Sequence, residues 1–289
     1  MDQFLPIREI SRLTGINTVT LRAWERRYGL LKPQRTEKGH RLYTQEDLQR
    51  IQQVQYWLNK GLSISKVNEL VQTTNQTEAI EVDSIWGEKQ QQLYLISLNM
   101  NRRQLDKEIE ILFSEYPVEL LADNLILPLL NQLRQDQFPH ISALAFFTQV
   151  FEEQLFRMQY RQRQTARGKK ILVIMATKNE EDLIGLMLNY GLLINGYQSE
   201  VMAHLNQNEL EYTLSKINPD FICLVGYQHL DSGLLQSQVS KLISSNKPLM
   251  LVGAIAEYLQ ANGQSQEINS ENLLLAGNFQ NVMSGLGKM

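Results

Sequence analysis

The sequence predicts a multidomain protein of the α and α/β classes, and three observations carry that prediction. Two short helical patterns in a basic segment open the chain, and four longer helical patterns with short connections follow. After residue 170, short apolar runs alternate with helical stretches, as in a doubly wound parallel sheet. We place the domain boundaries at residues 1–75, 76–165 and 166–289.

Charge is unevenly distributed along the 289 residues. Residues 1–75 carry 12 Lys or Arg and seven Asp or Glu, a net charge of +5 in a chain whose formal net charge is −3. Seven of these basic residues fall between residues 18 and 41, against two Glu. This asymmetry indicates a nucleic-acid-binding segment joined to another kind of domain. On charge alone, a merely solvated basic surface is the alternative.

The first two helical patterns are close together. Apolar residues recur every third position from Ile7, and Gly15 ends that helix. Asn17 or Thr18 caps a second helix, which runs to about Tyr28. Two short helices joined by a tight turn form a helix-turn-helix, and its second helix enters the major groove of DNA.

The second helix has one apolar face and one polar face. Leu21 and Trp24 share the apolar face, so Trp24 is predicted to be core rather than a residue that stacks on DNA. Arg22 and Arg26 on the polar face are predicted to make the groove contacts. The predicted DNA-binding residues of this helix are Thr18, Thr20, Arg22, Arg26, Arg27 and Tyr28.

A small antiparallel ribbon is predicted next. Residues 31–35 and 40–43 can pair around a turn at residues 36–39, where Gly39 supplies a positive φ. Basic side chains then project from a wing and neutralise phosphates. The wing's predicted DNA-binding residues are Arg35, Lys38, His40, Arg41 and Tyr43. Thr44 caps the following helix, with Asp47 in the capping-box position.

The string TLRAWERRYGLLKPQRTEKGHRLYTQEDLQRI resembles the DNA-binding domain of the MerR family of bacterial transcription regulators. The resemblance implies a winged helix-turn-helix, a homodimer on a palindromic operator in double-stranded promoter DNA, and action together with RNA polymerase. It also implies activation by twisting and bending a badly phased promoter. Ala23 and Trp24 replace two tyrosines of many members, and this pair resembles the subgroup with a cobalamin-binding type of effector domain. The matching residues are Thr20, Arg22, Glu25, Arg26, Gly29, Leu30, Arg35, Gly39, Arg41, Tyr43 and Asp47.

The middle of the chain is predicted to be a linker, residues 72–83, followed by a four-helix bundle. The helices are expected at residues 85–98, 104–115, 118–133 and 141–160. The fourth helix is aromatic, and its Phe147 and Phe151 line a cofactor pocket or belong to the bundle core. The basic run at residues 161–170 touches DNA or is a solvated linker between domains.

The last domain is predicted to be a flavodoxin-like, doubly wound parallel sheet, whose ligands bind at the carboxyl ends of the strands. Bundle and sheet together are similar to the cobalamin-binding module of cobalamin-dependent MerR photoreceptors. In the family's Asp-x-His-x-x-Gly motif, aligned on Gly185, Asp182 takes the place of the cobalt-ligating histidine. A carboxylate is a hard oxygen ligand and a poor replacement for imidazole on cobalt, so cobalamin is not expected. No other cofactor is expected. The predicted effector pocket comprises Phe147, Phe151, Thr177, Asn179, Glu180, Asp182, Gly226, Tyr227 and Gly253.

Several alternatives stay open from the sequence. The last domain either senses a small molecule or is a dimerisation or protein-docking module. For the whole protein, the alternative function is that of a cobalamin- or light-sensing MerR-type repressor with a non-standard cofactor site. No catalytic constellation and no metal site are found, so an enzyme is not expected. The single cysteine, Cys223, is predicted to be a buried hydrophobe and fits a reducing cytoplasm.

Overall fold

The structure is a computed structural model that describes residues 4–72, 82–134, 138–176, 182–203, 205–227, 232–261 and 273–286. It divides into two compact units, residues 1–147 and 148–289. The sequence predicts three domains instead, and the predicted linker at residues 72–83 lies almost entirely outside the described residues.

The first unit opens with a winged helix-turn-helix. Its helices are α1 Ile7–Thr14, α2 Thr18–Tyr28, α3 Gln45–Asn59 and α4 Ile64–Gln72. Its strands are β1 Leu5–Pro6, β2 Gln34–Arg35 and β3 Arg41–Tyr43, which form an antiparallel sheet in the order β1-β3-β2. The ribbon of β2 and β3 is predicted from the sequence. Strand β1 is not, because two residues before a helix carry no alternation that could be detected.

Helix caps occur where the sequence predicts them. The Asn17 side chain caps α2 by accepting a hydrogen bond from the Thr20 backbone N–H at 2.8 Å. Thr44 and Asp47 form a complete capping box at the start of α3. The core of this region includes Leu21 and Trp24, which are both fully buried, so the prediction that Trp24 is core is confirmed.

Five helical segments follow in place of the four predicted patterns. They are α5 Val82–Leu98, α6 Arg102–Glu115, α7 Val118–Leu121, α8 Leu127–Leu133 and α9 His140–Arg163. A π-helical turn, Ala122–Ile126, separates α7 from α8. Pro128 explains this interruption, because proline has no N–H to donate to the carbonyl of Asn124 one turn earlier.

Within the first unit, side chains join the winged helix-turn-helix to α5 and α6. The Trp86 indole N–H donates to the Asn59 carbonyl at 3.2 Å, and the buried Tyr116 hydroxyl donates to the Gly61 carbonyl at 3.0 Å. The rings of Trp86 and Tyr116 also pack against each other, with centroids 5.1 Å apart. The end of α3 is therefore fixed by residues that follow it by more than 25 positions.

The second unit contains a five-stranded parallel sheet in the order β5-β4-β6-β7-β8. Numbered from its own first strand this is the order 2-1-3-4-5, so the flavodoxin-like prediction is confirmed. Its strands are β4 Lys170–Met175, β5 Gln198–Ala203, β6 Phe221–Val225, β7 Leu249–Val252 and β8 Leu273–Ala276. Its helices are α10 Asp182–Ile194, α11 Gln207–Ile217, α12 Ser232–Ser244, α13 Ala254–Ala261 and α14 Phe279–Leu286.

Strands β6 and β7 are buried along their whole length, as strands covered on both faces must be. Cys223 in β6 is fully buried, which confirms that it is a core residue, and its burial raises the pKa of the thiol to about 12. No helix within the described ranges is long and apolar enough to cross a membrane.

Candidate DNA interface and effector pocket

The recognition helix α2 presents a row of arginines to solvent. Arg22, Arg26 and Arg27 are all exposed, while Leu21 and Trp24 on the other side of the helix are fully buried. The apolar side thus fixes the rotation of the helix and turns the guanidinium groups outwards. Guanidinium groups in this setting can bind phosphates or the O6 and N7 atoms of guanine.

The same helix is tied to the wing through Glu25. The Arg35 guanidinium donates a hydrogen bond to one carboxylate oxygen of Glu25 at 2.8 Å, and the Arg41 Nε–H donates to the other oxygen. The Glu25 side chain is only 14% exposed and that of Arg41 18%, whereas Arg35 is 51% exposed. We call these three residues the wing clamp, because they join α2 to β2 and β3.

The electrostatics of the wing clamp favour its charged form. Burial by itself raises the pKa of Glu25, but the hydrogen bonds and charges of Arg41 and Arg35 outweigh burial and leave this pKa below its ordinary value. The pKa of Arg41 is raised in turn by the Glu25 carboxylate. The clamp is therefore fully ionised at neutral pH.

The turn of the wing is held by hydrogen bonds within it. The Thr36 N–H donates to the His40 carbonyl at 2.9 Å, and the Gly39 N–H donates to the Thr36 carbonyl at 2.8 Å. Lys38 at the tip and His40 beside it are exposed. A cationic tip on a hydrogen-bonded turn is a suitable arrangement for contacts with a phosphate backbone.

The predicted effector pocket is described only in part. Thr177, Asn179 and Glu180 lie outside the described residues. Asp182 is the first residue of α10, and Phe151 is buried in α9. Phe147 is also buried, but it belongs to the first unit.

The last three pocket residues meet at the carboxyl ends of β6 and β7. Gly253 has a φ of +84°, and a Cβ atom at this position would lie 2.7 Å from the Gly226 carbonyl oxygen and 2.9 Å from the Tyr227 ring. The aromatic ring of Tyr227 therefore occupies the space directly beside Gly253. Glycine is required there by both its backbone conformation and the close approach of its neighbours.

Helix α9 is attached to α10 by buried amide groups, and each helix also carries a carboxyl group that is close enough to act on the other. The Gln159 amide donates to the Leu186 carbonyl at 2.8 Å, and the Asn189 amide donates to the Gln159 side-chain oxygen at 2.9 Å. Burial raises the pKa of Glu152 on α9, and the charge of Asp182 raises it further. These contacts place an acidic pair next to the predicted pocket.

Residues 5–74 match the family described as MerR HTH family regulatory protein. The transcriptional regulator MlrA of Escherichia coli is 34% identical over 203 residues, which is 70% of this chain and 81% of MlrA. The chain belongs to the MerR family. It is a DNA-binding transcriptional regulator, as predicted from its first quarter.

Two further comparisons cover other shares of the chain. The transcriptional repressor CarA of Myxococcus xanthus is 33% identical over 131 residues, covering 45% of this chain and 44% of CarA. A cobalamin-binding protein of Desulfitobacterium hafniense has a solved structure that covers 68% of this chain and 96% of that protein. Its TM-score is 0.34 at 9% identity, and this likeness supports no inference about the fold or its ligand.

Two of the predicted DNA-binding residues are tyrosines, and both contact other parts of the protein. Tyr43 is fully buried, and burial raises its pKa to about 12, so its side chain presents no surface to DNA. The Tyr28 hydroxyl lies 3.1 Å from the Ser114 hydroxyl of α6. The structure corrects the expected direct contact for Tyr43, because alternation along β3 turns this ring into the core. Thr18 and Thr20, in the first turn of α2, are partly exposed.

Sequence reasoning missed several side chains that position the interface. Glu25 matched the family motif but had no predicted role. The Gln55 amide of α3 donates to the Thr14 carbonyl at 2.7 Å, and the Asn68 amide of α4 donates to the Tyr28 carbonyl at 3.0 Å. Both bonds satisfy carbonyls at helix ends, and both join residues about 40 positions apart, which no local pattern reveals.

Proposed function

We propose that this regulator binds a palindromic operator as a homodimer, with α2 of each protomer in a major groove and each wing on the adjacent backbone. The exposed arginine row on α2, with its rotation fixed by Leu21 and Trp24, carries the proposal. Arg22 and Arg26 would contact base edges or phosphates, and Arg27 would contact a phosphate.

The wing would contribute in two ways. Lys38 and His40 at the exposed tip would contact phosphates directly. Arg41 would act mainly by holding Glu25, because little of its side chain is exposed. Arg35 is half-exposed, so it could hold Glu25 with one nitrogen and approach a phosphate with another.

Activation by promoter distortion completes the proposal for the DNA-binding end. Two rigid heads joined as a dimer can untwist and bend the DNA between their half-sites, and the energy of that deformation would bring the promoter elements into phase for RNA polymerase. The family membership and the clamped, rigid wing support this mechanism. Repression is the second reading, and it is favoured by the 33% identity with the repressor CarA.

Replacement of Arg22 tests the assignment of the recognition helix. A high-affinity duplex would first be selected with the purified protein from a pool of random-sequence DNA. We expect Arg22→Ala to weaken binding to that duplex by about 30-fold or more, since each protomer of the dimer loses one base contact that is worth about 1 to 3 kcal/mol. Its affinity for a scrambled duplex should fall much less. Fluorescence anisotropy at fixed salt would measure both affinities.

The matched control is Arg103→Ala, which removes one exposed arginine from α6. It should leave both affinities and the preference for the selected duplex unchanged. If Arg22→Ala retains the parent's preference while its melting temperature is also unchanged, then α2 does not read the operator in the proposed way.

For the second unit we propose a sensing or protein-docking role without cobalamin or any other resident cofactor. Two features of the described residues support the absence of cobalamin. Asp182 supplies a hard carboxylate where the family has an imidazole, and the Tyr227 ring fills the space beside Gly253. The protein would act in the cytoplasm as a regulator and not as an enzyme.

A spectrum tests this part of the proposal. Purified protein would be incubated in the dark with adenosylcobalamin or methylcobalamin, desalted, and examined by visible absorbance. We expect a colourless protein. A stoichiometric retained chromophore would show that the second unit binds cobalamin through other groups, and the cofactor-sensing reading would replace ours.

A further inference from the structure

The basic run at residues 161–170, predicted as a linker or a DNA contact, partly lines a cavity in the second unit. The cavity has a volume of about 380 Å³ and lies at the amino ends of β4 and β5. The predicted effector pocket lies at the opposite, carboxyl edge of the same sheet. Six residues that line the amino-end cavity matter for its chemistry: Arg163, Arg167, Lys170, Ser199, Glu200 and Lys216.

The charged residues of this cavity are mostly basic. Arg163 is paired with Glu200, whose carboxylate lies 2.9 Å from the guanidinium. That pair leaves three further cations, Arg167, Lys170 and Lys216, without a second carboxylate among the lining residues. Lys216 also lies near the carboxyl end of α11, where a cation offsets the helix dipole. Arg167 and Lys170 lie outside helices, so the helix dipole does not account for their positions.

The cavity wall is built from fixed backbone. The N–H groups of Arg167 and Gly168 both donate to the Gly196 carbonyl, at 3.2 and 2.8 Å. The Gln198 amide donates to the Gly168 carbonyl at 3.2 Å. The two loops that precede β4 and β5 are therefore joined, and the basic side chains project from a defined frame.

Ser199 supplies the second, independent observation. It lines the cavity and is only 2% exposed, yet its hydroxyl has no hydrogen-bond partner among the described residues. Buried hydroxyl groups are nearly always paired in folded proteins, because an unpaired one costs free energy. An unpaired hydroxyl on a residue that lines the same cavity as three cations is suited to an acceptor-rich, anionic group.

Part of the cavity wall is apolar. Ile171, Leu193 and Ala166 are buried beneath it. The volume lies at the lower end of the range for small-molecule sites and exceeds what a single inorganic phosphate fills. We propose that this cavity binds a small phosphorylated organic molecule, with its phosphate groups at Arg167, Lys170, Lys216 and Ser199 and its organic part against the apolar wall.

Calorimetric titration of the full-length protein with ADP and with pyrophosphate tests the proposal at low salt. We expect saturable binding that weakens as salt is added, and tighter binding of ADP because its nucleoside reaches the apolar wall. Lys216→Ala and Lys170→Ala should each weaken ADP binding about tenfold, since each removes a charge-assisted contact. Lys247→Ala is the matched control, because Lys247 lies outside the cavity and binds the Asn218 side chain.

Ser199→Ala gives a readout that a structural role would not give. It should weaken ADP binding and at the same time leave the melting temperature of the ligand-free protein unchanged or raise it by about 2 to 4 °C, because an unpaired buried hydroxyl is removed. The proposal is overturned if neither probe binds. It is also overturned if Lys247→Ala weakens binding as much as Lys216→Ala, or if Ser199→Ala lowers the melting temperature while binding stays intact.

Discussion

The strands of the winged helix-turn-helix are two or three residues long, whereas those of the C-terminal sheet are four to six residues long, and its three central strands are almost wholly buried. In the first region the elements are joined by polar contacts between side chains far apart in sequence, of which the wing clamp is the main example. In the second, apolar side chains and close backbone contacts such as that of Gly253 with Gly226 join them.

This difference determines whether the residues that hold the fold are the same as the residues that bind DNA or a ligand. In the winged helix-turn-helix, the charged residues near the interface also hold the fold, since Glu25 orients both α2 and the wing. In the sheet, the charged residues that line the cavity at the amino edge are exposed and distinct from the core residues. Substitutions in the wing clamp should therefore affect stability and binding together, whereas substitutions in the sheet should affect them separately.

The largest effect on stability is expected from a comparison of two glycines with positive φ, one in each region. Gly15 ends α1 at a φ of +73° with open space around it, while Gly253 has backbone and ring atoms within 3 Å of the position of a Cβ. Gly15→Ala should cost about 1 kcal/mol from backbone strain alone. Gly253→Ala should cost about 2 to 4 kcal/mol, because a steric clash is added to the strain. Urea unfolding followed by circular dichroism would measure both.

Equal losses for the two glycine variants would contradict the close packing at the carboxyl edge of the sheet. DNA binding provides a second comparison at a temperature where both variants are folded. Gly253→Ala should then bind the selected duplex like the parent protein.

The sequence predicted most of the local structure correctly, because local structure has local signals. Asn17, the Thr44 and Asp47 pair, and the apolar period of α3 each act within four residues of their partners. The parallel sheet was predictable because apolar runs alternate with helical patterns. Helices α13 and α14, each eight residues long, were not predicted from the sequence.

The functional geometry was predictable only in part. An exposed arginine row follows from the helical period, but the partners of Arg35 and Arg41 do not, because Glu25 lies 10 and 16 positions away. Ser199 gave no signal at all, since a serine in a strand has no distinctive pattern. The proposed role of Ser199 in ligand binding depends on its burial and on cations contributed by a helix, a loop and a strand.

A smaller effect is expected from the wing clamp, which Glu25→Gln would break. The side chains of Glu25 and Arg41 are mostly buried, so the loss should cost about 1 to 2 kcal/mol, between the values for exposed and fully buried pairs. Affinity for the selected duplex should fall, while affinity for scrambled DNA should hold or rise because Arg35 and Arg41 are released. Thermal melting and fluorescence anisotropy would measure these changes.

The wing clamp also has a defined dependence on pH. The folded-state pKa of Glu25 is lowered, so its contribution to stability is complete above about pH 5 and is lost as the pH falls through the folded-state value. Glu25→Gln should therefore lose less stability than the parent protein between pH 5 and pH 3. The control is Glu9→Gln, which breaks an exposed pair with Arg12 and should leave the melting temperature at neutral pH unchanged.

The smallest effect on stability is expected at the tip of the wing. Lys38 is exposed and lies on a turn held by its neighbours' backbone, so Lys38→Ala should leave the melting temperature unchanged. Its loss removes one phosphate contact per protomer and should lower the dependence of log affinity on log salt concentration by about one unit for each protomer. Selected and scrambled duplexes should be affected alike, because a phosphate contact carries no sequence information. Lys107→Ala on α6 removes the same charge away from the wing, and an equal fall in salt dependence there would remove the wing from the interface.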